Sequence, residues 1–223
     1  MAQTSVRSSA PQPTGRTAAK RRQIVEAALD LFLQQGYGKT SMDQVAADAH
    51  VSKQTVYKQF ADKETLFREI AHGVTANSDH IVDELARIVD VPVADLDDLR
   101  RVLQRLARRY LDAVTAPHVL ALRRLMIAEA DQFPDLAHAY YQRGPRRGLE
   151  LIESALRRWA EQGLVSAPNM PTAASHFAYL ALGASQDYTL FHPSRPPKPT
   201  ERAKAATAAA ETFLAAFGRP REA

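Results

Sequence analysis

Apolar residues in this chain recur three and four positions apart, the spacing of a helix that buries one face. Ile24, Ala27, Ala28, Leu31 and Phe32 open the pattern and draw a single stripe. Gly36 comes next as the expected helix stop, because a residue without a Cβ enters the left-handed region at little cost. Alternating strand patterns closed by Asn-Gly or Asp-Gly are absent, while Ala, Leu, Arg and Glu dominate. The expected fold class is therefore all-α.

Prolines divide the rest of the chain, since proline opens a helix readily but breaks the hydrogen-bond ladder inside one. Pro92, Pro117, Pro134, Pro168 and Pro171 mark the joints. The pattern predicts helices near Lys63–Ile88, Leu96–Val114, His118–Gln132 and Asp135–Glu161, the last kinked or broken at Gly144-Pro145. Two more are expected near Thr172–Leu190 and Thr200–Phe217, flanking the Pro-rich loop His192–Pro199. The stretch Ala2–Thr17 is too poor in large apolar side chains to offset the entropy of ordering, so residues 1–17 are expected to form a disordered arm.

A chain of 223 residues can bury a sizeable core as one large domain or two small ones, and without Cys it has no disulfides or thiolate metal sites. No apolar signal core opens it and no run of about 18 apolar residues occurs, so a cytoplasmic address is expected and a membrane is not an expected partner. The net charge of +4 is unevenly spread: through Lys63 nine bases meet five acids, and the remainder carries twenty of each. Any pull on a polyanion belongs to the N-terminal segment, although such a surplus is equally consistent with ordinary solvated charge.

The informative window is Thr40 to Phe60, TSMDQVAADAHVSKQTVYKQF. Thr40 or Ser41 can cap its first helix, and Gln44 completes a capping box with Ser41. Met42, Val45, Ala46 and Ala49 form the buried stripe, with small residues that let a second helix cross closely. Ala-His-Val-Ser makes the turn, with His50 at the left-handed position and Ser52 capping the next helix. In that second helix Val56 and Phe60 point inward, leaving Lys53, Gln54, Tyr57 and Lys58 outside. That face suits a DNA major groove: ammonium groups neutralise phosphate, an amide can pair with adenine, and a phenol can meet a thymine methyl. RNA readers more often show a sheet of stacking aromatics. Asp62 caps a further helix starting at Lys63, whose amides could hold one more phosphate. The residues alone also allow an ordinary solvated pair of helices.

The run from Arg22 to Phe67, with I-V-E-A-A-L-D-L-F, Gly36-Tyr37, T-S-M-D-Q-V-A, V-S-K-Q-T-V-Y-K-Q-F and D-K-E-T-L-F, resembles the DNA-binding domain of the TetR family of bacterial repressors. The resemblance covers residues 18–78, with the helix-turn-helix at 41–60. It implies a three-helix DNA-binding domain, a long fourth helix, an all-α ligand-binding and dimerisation domain over 79–218, and a short tail at 219–223, about nine helices in all. It also implies that Thr40 and Ser41 hold phosphate at a helix start and that Lys53, Gln54, Thr55, Tyr57 and Lys58 lie along or in the groove; Lys63, at the helix start capped by Asp62, is counted with these DNA contacts. His50 and Gln59 depart from the commonest family pattern. Residues Ala121 to Arg147 are similar to the C-terminal domain of the AefR-like subgroup, which implies a small-molecule effector without naming it.

Effector-pocket candidates are bulky or polar residues on faces that should be apolar: Leu122, Met126, Glu129, Phe133, Tyr140, Trp159, Phe177 and Tyr179. Taken singly, each is more readily explained as plain core. A buried Glu129 would need a partner such as Arg123, Arg124 or a ligand, and a Glu129 that faces water is equally consistent with the pattern. A mostly apolar cavity is expected. Dimerisation is expected through Phe177, Leu180, Ala181, Ala184 and Tyr188, with Phe213, Leu214 and Phe217, since a monomer could not cover both faces. Two copies would place their reading helices in successive major grooves about 34 Å apart, predicting a palindromic double-stranded operator. A DNA-binding architectural protein without an effector is the alternative.

Enzymatic readings fail on particulars. Gly38-Lys39-Thr40 matches the end of a phosphate loop, but Leu33 stands where its first Gly belongs and no strand precedes it. Glu69 and His72 form one Glu-x-x-His pair where a di-iron bundle needs two. No His pair has the spacing of a zinc site, so no cofactor is expected.

Overall fold

The structure is a computed structural model that describes residues 15–76 and 79–219. Most of the expected N-terminal arm, the junction at 77–78 and the tail beyond Arg219 lie outside the described residues. Among the described residues the fold is all-helical, with one isolated bridge between Val165 and Gly218. The chain divides after Ile70 into two compact units.

The first unit holds α1 (Gly15–Gln35), α2 (Met42–Asp48), α3 (Lys53–Gln59) and the start of α4 (Lys63–Ala76). Of the α1 stripe, Ile24, Ala28 and Phe32 are buried, and Gly36 takes φ 85° to end the helix. The rings of Phe32, Tyr37 and Phe67 then meet with centroids 4.9 to 5.7 Å apart. All four residues of the expected Met42–Ala49 stripe are buried, as are Val56 of α3 and Phe60 just past its end. The Ser41 hydroxyl accepts from the Gln44 amide at 3.2 Å while Gln44 Oε1 accepts from the Ser41 amide at 2.8 Å, which completes the capping box. His50 takes φ 52°, the left-handed turn expected of it. Ser52 Oγ accepts from the Thr55 amide at 3.1 Å and caps α3. Asp62 Oδ1 accepts from the Thr65 amide at 2.7 Å, and that bond holds its carboxyl below the ordinary aspartate value.

The second unit is built around α6 (Leu96–Val114), whose Leu99, Leu103, Leu106, Ala107 and Leu111 are fully buried. Around it lie α5 (Asp79–Val89), α9 (Arg147–Glu161), α10 (Met170–Phe191) and α11 (Pro199–Phe217), which contribute Leu85, Leu156, Trp159, Phe177 and Phe213 to one core. The helices α7 (Pro117–Ala128) and α8 (Pro134–Tyr141) complete the unit. Helix α7 ends at Ala128, short of the expected Gln132, and Phe133, held at φ −129° and ψ 64° in front of Pro134, stands at the start of α8. At Gly144-Pro145 the expected long helix is interrupted by a π-helical turn, Gln142–Arg146, since proline has no amide for the regular ladder. The expected Asp135–Glu161 segment is thus divided between α8 and α9, while the described residues of the expected Lys63–Ile88 segment, 63–76 and 79–88, are helical on either side of 77–78.

Candidate nucleic-acid interface

Helix α3 has seven residues and a single buried side chain, Val56. Its other positions are therefore available: Lys53, Gln54, Tyr57 and Lys58 are exposed, Tyr57 to 52%, and Thr55 is half-buried. Lys53 is not unpaired, because its ammonium lies 2.6 Å from the Asp43 carboxylate of α2. Ser41 is exposed at the start of α2, and Thr55 Oγ1 sits 2.8 Å from Ser52 Oγ at the start of α3. Two helix starts and one amide- and phenol-bearing face thus share a surface of a small unit.

Two of the expected DNA-binding residues are placed otherwise. Thr40 is 2% exposed, and its hydroxyl donates to the Gly36 carbonyl at 2.9 Å, so it closes the α1–α2 turn instead of facing solvent. Lys63 turns inward, donating to the Tyr37 carbonyl at 2.9 Å and the Thr40 carbonyl at 3.0 Å, with its ammonium 4.2 Å from the Tyr37 ring centroid. Sequence reasoning missed Arg21, whose Nη1 donates to the Gln59 carbonyl at 3.0 Å, whose Nη2 pairs with Glu69, and whose guanidinium lies 4.2 Å over the Phe60 ring. The available signal was position: Arg21 falls one turn before Ile24 on the buried stripe of α1.

In the second unit the eight pocket candidates do not form one set. Trp159 and Phe177 belong to the main core, while Leu122, Met126 and Phe133 are buried outside it, near α7 and the start of α8. Glu129 and Tyr140 are half-buried. Tyr179 is 72% exposed and lies in the open groove beside α11, not among the buried side chains of the unit. Among the described residues, Arg124 Nη1 and Gln186 Nε2 are buried without a hydrogen-bond partner.

The expected dimer face also splits by burial. Phe177, Ala181, Phe213 and Leu214 are packed within the chain and have little surface to offer a partner. Leu180, Ala184 and Tyr188 are not packed away in this manner: Leu180 is 44% and Tyr188 45% exposed, beside Tyr179 and Phe191, and Phe217 is half-buried. A shallow groove of about 490 Å³ runs between α10 and α11, lined by His176, Tyr179, Leu180, Thr212, Ala216 and Phe217 over the buried Phe213.

A capped helix-turn-helix with an open second helix defines the first unit as a DNA-binding domain of the helix-turn-helix class. Residues 24–70 match the model of the TetR family of bacterial regulatory proteins, and residues 101–219 match the AefR-like transcriptional repressor C-terminal domain. The chain belongs to the TetR family of transcriptional regulators and carries an AefR-like C-terminal domain.

A crystal structure assigned to the TetR family, from Mesorhizobium loti MAFF303099, is 34% identical and superposes with a TM-score of 0.78, covering 92% of this chain and 100% of that one. The flavonoid-responsive regulator FrrA is 29% identical with a TM-score of 0.65, over 92% of this chain and 100% of its own. The transcriptional regulator SrpR of Pseudomonas putida is 28% identical over 143 residues, 64% of this chain and 62% of SrpR, so the match spans less than two thirds of that relative. These relatives are transcriptional regulators. Among the described residues, no helix is long and apolar enough to cross a membrane.

Proposed function

We propose that this regulator is a cytoplasmic repressor that binds a palindromic operator as a homodimer and is released by a small, mostly apolar effector. Residues 18–78 serve as the DNA-binding domain and 79–218 as the ligand-binding and dimerisation domain. The observation that carries the reading is the outer face of α3, where Gln54, Tyr57 and Lys58 are exposed while Val56 and Phe60 anchor the helix from below. Gln54 supplies base discrimination, Lys53 and Lys58 meet phosphates, and the starts of α2 and α3 at Ser41 and Thr55 offer further phosphate contacts. Thr40 and Lys63 support the fold instead.

The partner subunit covers the outer stripe of α10, Tyr179, Leu180, Ala184 and Tyr188, together with Phe217. Leu122, Met126 and Phe133, with Glu129 and Tyr140 at the edge, remain the pocket residues of choice. The buried nitrogens of Arg124 and Gln186 support an effector with at least one acceptor oxygen, because a buried donor without an acceptor is costly. The flavonoid response of FrrA supports an aromatic scaffold for that effector. An effector that favours one spacing of the two reading heads lowers operator affinity by differential binding.

Gel-shift against duplexes selected from a random pool tests the reading. Specific, salt-sensitive binding is expected, and Gln54→Ala should relax preference at one base pair per half-site by about 1 to 3 kcal/mol, whereas Tyr57→Ala weakens binding across sequences. If both variants bind like wild type, the reading face is wrong. A melting temperature unmoved by a broad panel of aromatic ligands would favour an architectural protein without an effector.

A further inference from the structure

A two-turn helix anchored only by Val56 and, just past its end, Phe60 has few packed side chains of its own to fix its direction and rotation. Helix α3 is nevertheless the element whose aim decides which base edges Gln54 and Tyr57 can reach. Something at its ends must set that aim.

At the C-terminal end, Arg21 makes three different interactions with one guanidinium. It donates to the Gln59 carbonyl at 3.0 Å, pairs with Glu69 of α4, and covers the Phe60 ring at 4.2 Å. The last carbonyl of α3, its closing aromatic and the fourth helix are thereby tied to α1. On the other side of the motif, Lys63 at the start of α4 binds the Tyr37 and Thr40 carbonyls at 2.9 and 3.0 Å and sits 4.2 Å from the Tyr37 ring centroid. That grip holds the turn that delivers Ser41 to the start of α2, the helix against which α3 packs. Both cations direct their hydrogen bonds into the unit.

We propose that Arg21 and Lys63 are positioning residues that set how α3 is presented to the duplex and so determine sequence discrimination, without contributing to the charge that attracts phosphate. The proposal rests on α3 being the DNA-reading helix. Its chemistry is distinguishable from a phosphate contact, since losing a phosphate contact weakens binding to every sequence and lowers the salt dependence.

The test uses the full-length chain, a duplex selected from a random pool by wild type, and an unselected pool as the non-specific probe. Arg21→Met, Lys63→Met and Arg21→Lys are titrated against both probes over a salt series, well below each variant's melting temperature. Positioning predicts a loss of roughly tenfold on the selected duplex, little change on the unselected pool, and an unchanged slope of log affinity against log salt. Arg21→Lys should behave like Arg21→Met, because an ammonium keeps the charge but cannot span a carbonyl, a carboxylate and a ring together; it also carries the test if Arg21→Met does not fold. The proposal is overturned if binding falls equally on both probes with the slope reduced by about 0.9 per protomer. It is equally overturned if the folded variants discriminate as wild type does, which would leave only a stability role. Failure of wild type to select any duplex would sink the DNA-reading assignment itself, and the proposal with it.

Discussion

A Cβ built on Gly148 would lie 2.5 Å from the Tyr110 hydroxyl, closer than real Cβ atoms approach a neighbour, and 3.1 Å from its Cζ, a tight contact. Tyr110 cannot easily retreat, because it is 6% exposed in the core of the second unit. Burial pushes its phenol up to about 12, an effect that nearby Arg123 only partly offsets. Gly148→Ala is therefore expected to destabilise the protein by about 1 to 3 kcal/mol in urea, and adding Tyr110→Phe should recover most of that loss by removing the obstructing oxygen. The raised phenol also has a pH signature. Its neutral form is favoured in the folded state, so stability should fall as pH rises from about 10 towards about 12, and Tyr110→Phe should shrink that fall.

The same scale shows where residue types mislead. Thr40 and Lys63 have the hydroxyl and ammonium a phosphate contact requires, and Ser41 and Lys58 have them too. Only the direction of the side chain separates the two sets: the first is drawn into the carbonyls of the α1–α2 turn and the second is left in solvent. A one-dimensional pattern carries no such direction for a polar residue at a helix start.

Among elements, α6 and α11 are joined by a carboxylate shared between two guanidiniums. Asp112 accepts from Arg108 Nε at 2.8 Å and Arg202 Nε at 2.5 Å, while the same two arginines donate to the Pro199 and Pro197 carbonyls, each at 2.6 Å. Burial works against the charged carboxylate, but the hydrogen bonds from Arg108 and Arg202 outweigh it and hold Asp112 below the ordinary value of 3.8. Asp112→Asn leaves two partly buried guanidiniums without their counter-charge and is expected to cost about 1 to 3 kcal/mol at pH 7. Because the folded pKa is depressed, that advantage is complete above the unfolded value and is lost as pH falls through the folded one. The gap between the two proteins in urea titrations should therefore begin to narrow as pH falls below about 3.8; a constant gap would assign the loss to packing alone. The proline joints were legible one by one, and the break at Pro145 results from its missing amide. Pairings such as Asp112 with Arg202 were not, since residues 90 positions apart share no local pattern.

At the scale of the whole molecule, α10 carries exposed apolar side chains that nothing in one chain covers. Tyr179 is 72% exposed, Leu180 44%, Tyr188 45% and Phe191 82%, values a monomer in water does not favour side by side on one helix. The double variant Leu180→Asp/Tyr188→Asp should sediment as a monomer at concentrations where wild type is dimeric. It should also lose most of its specific operator affinity, because one reading head engages only one half-site. A wild type that stays monomeric across the accessible concentration range would end the two-copy reading.

Periodicity, caps and turn residues by themselves determined the helix-turn-helix, down to the Ser41–Gln44 box and the left-handed His50, because each of those choices is settled within four residues along the chain. They also determined that the remainder would be helical. What the tertiary structure alone decided is which face of each helix meets another. Phe177 and Tyr179 are two positions apart on α10 and both aromatic, yet one is buried at 0% and the other stands in solvent. Burial depends on partners brought from distant helices, and an aromatic residue is compatible with core, pocket and interface alike until those partners are in place.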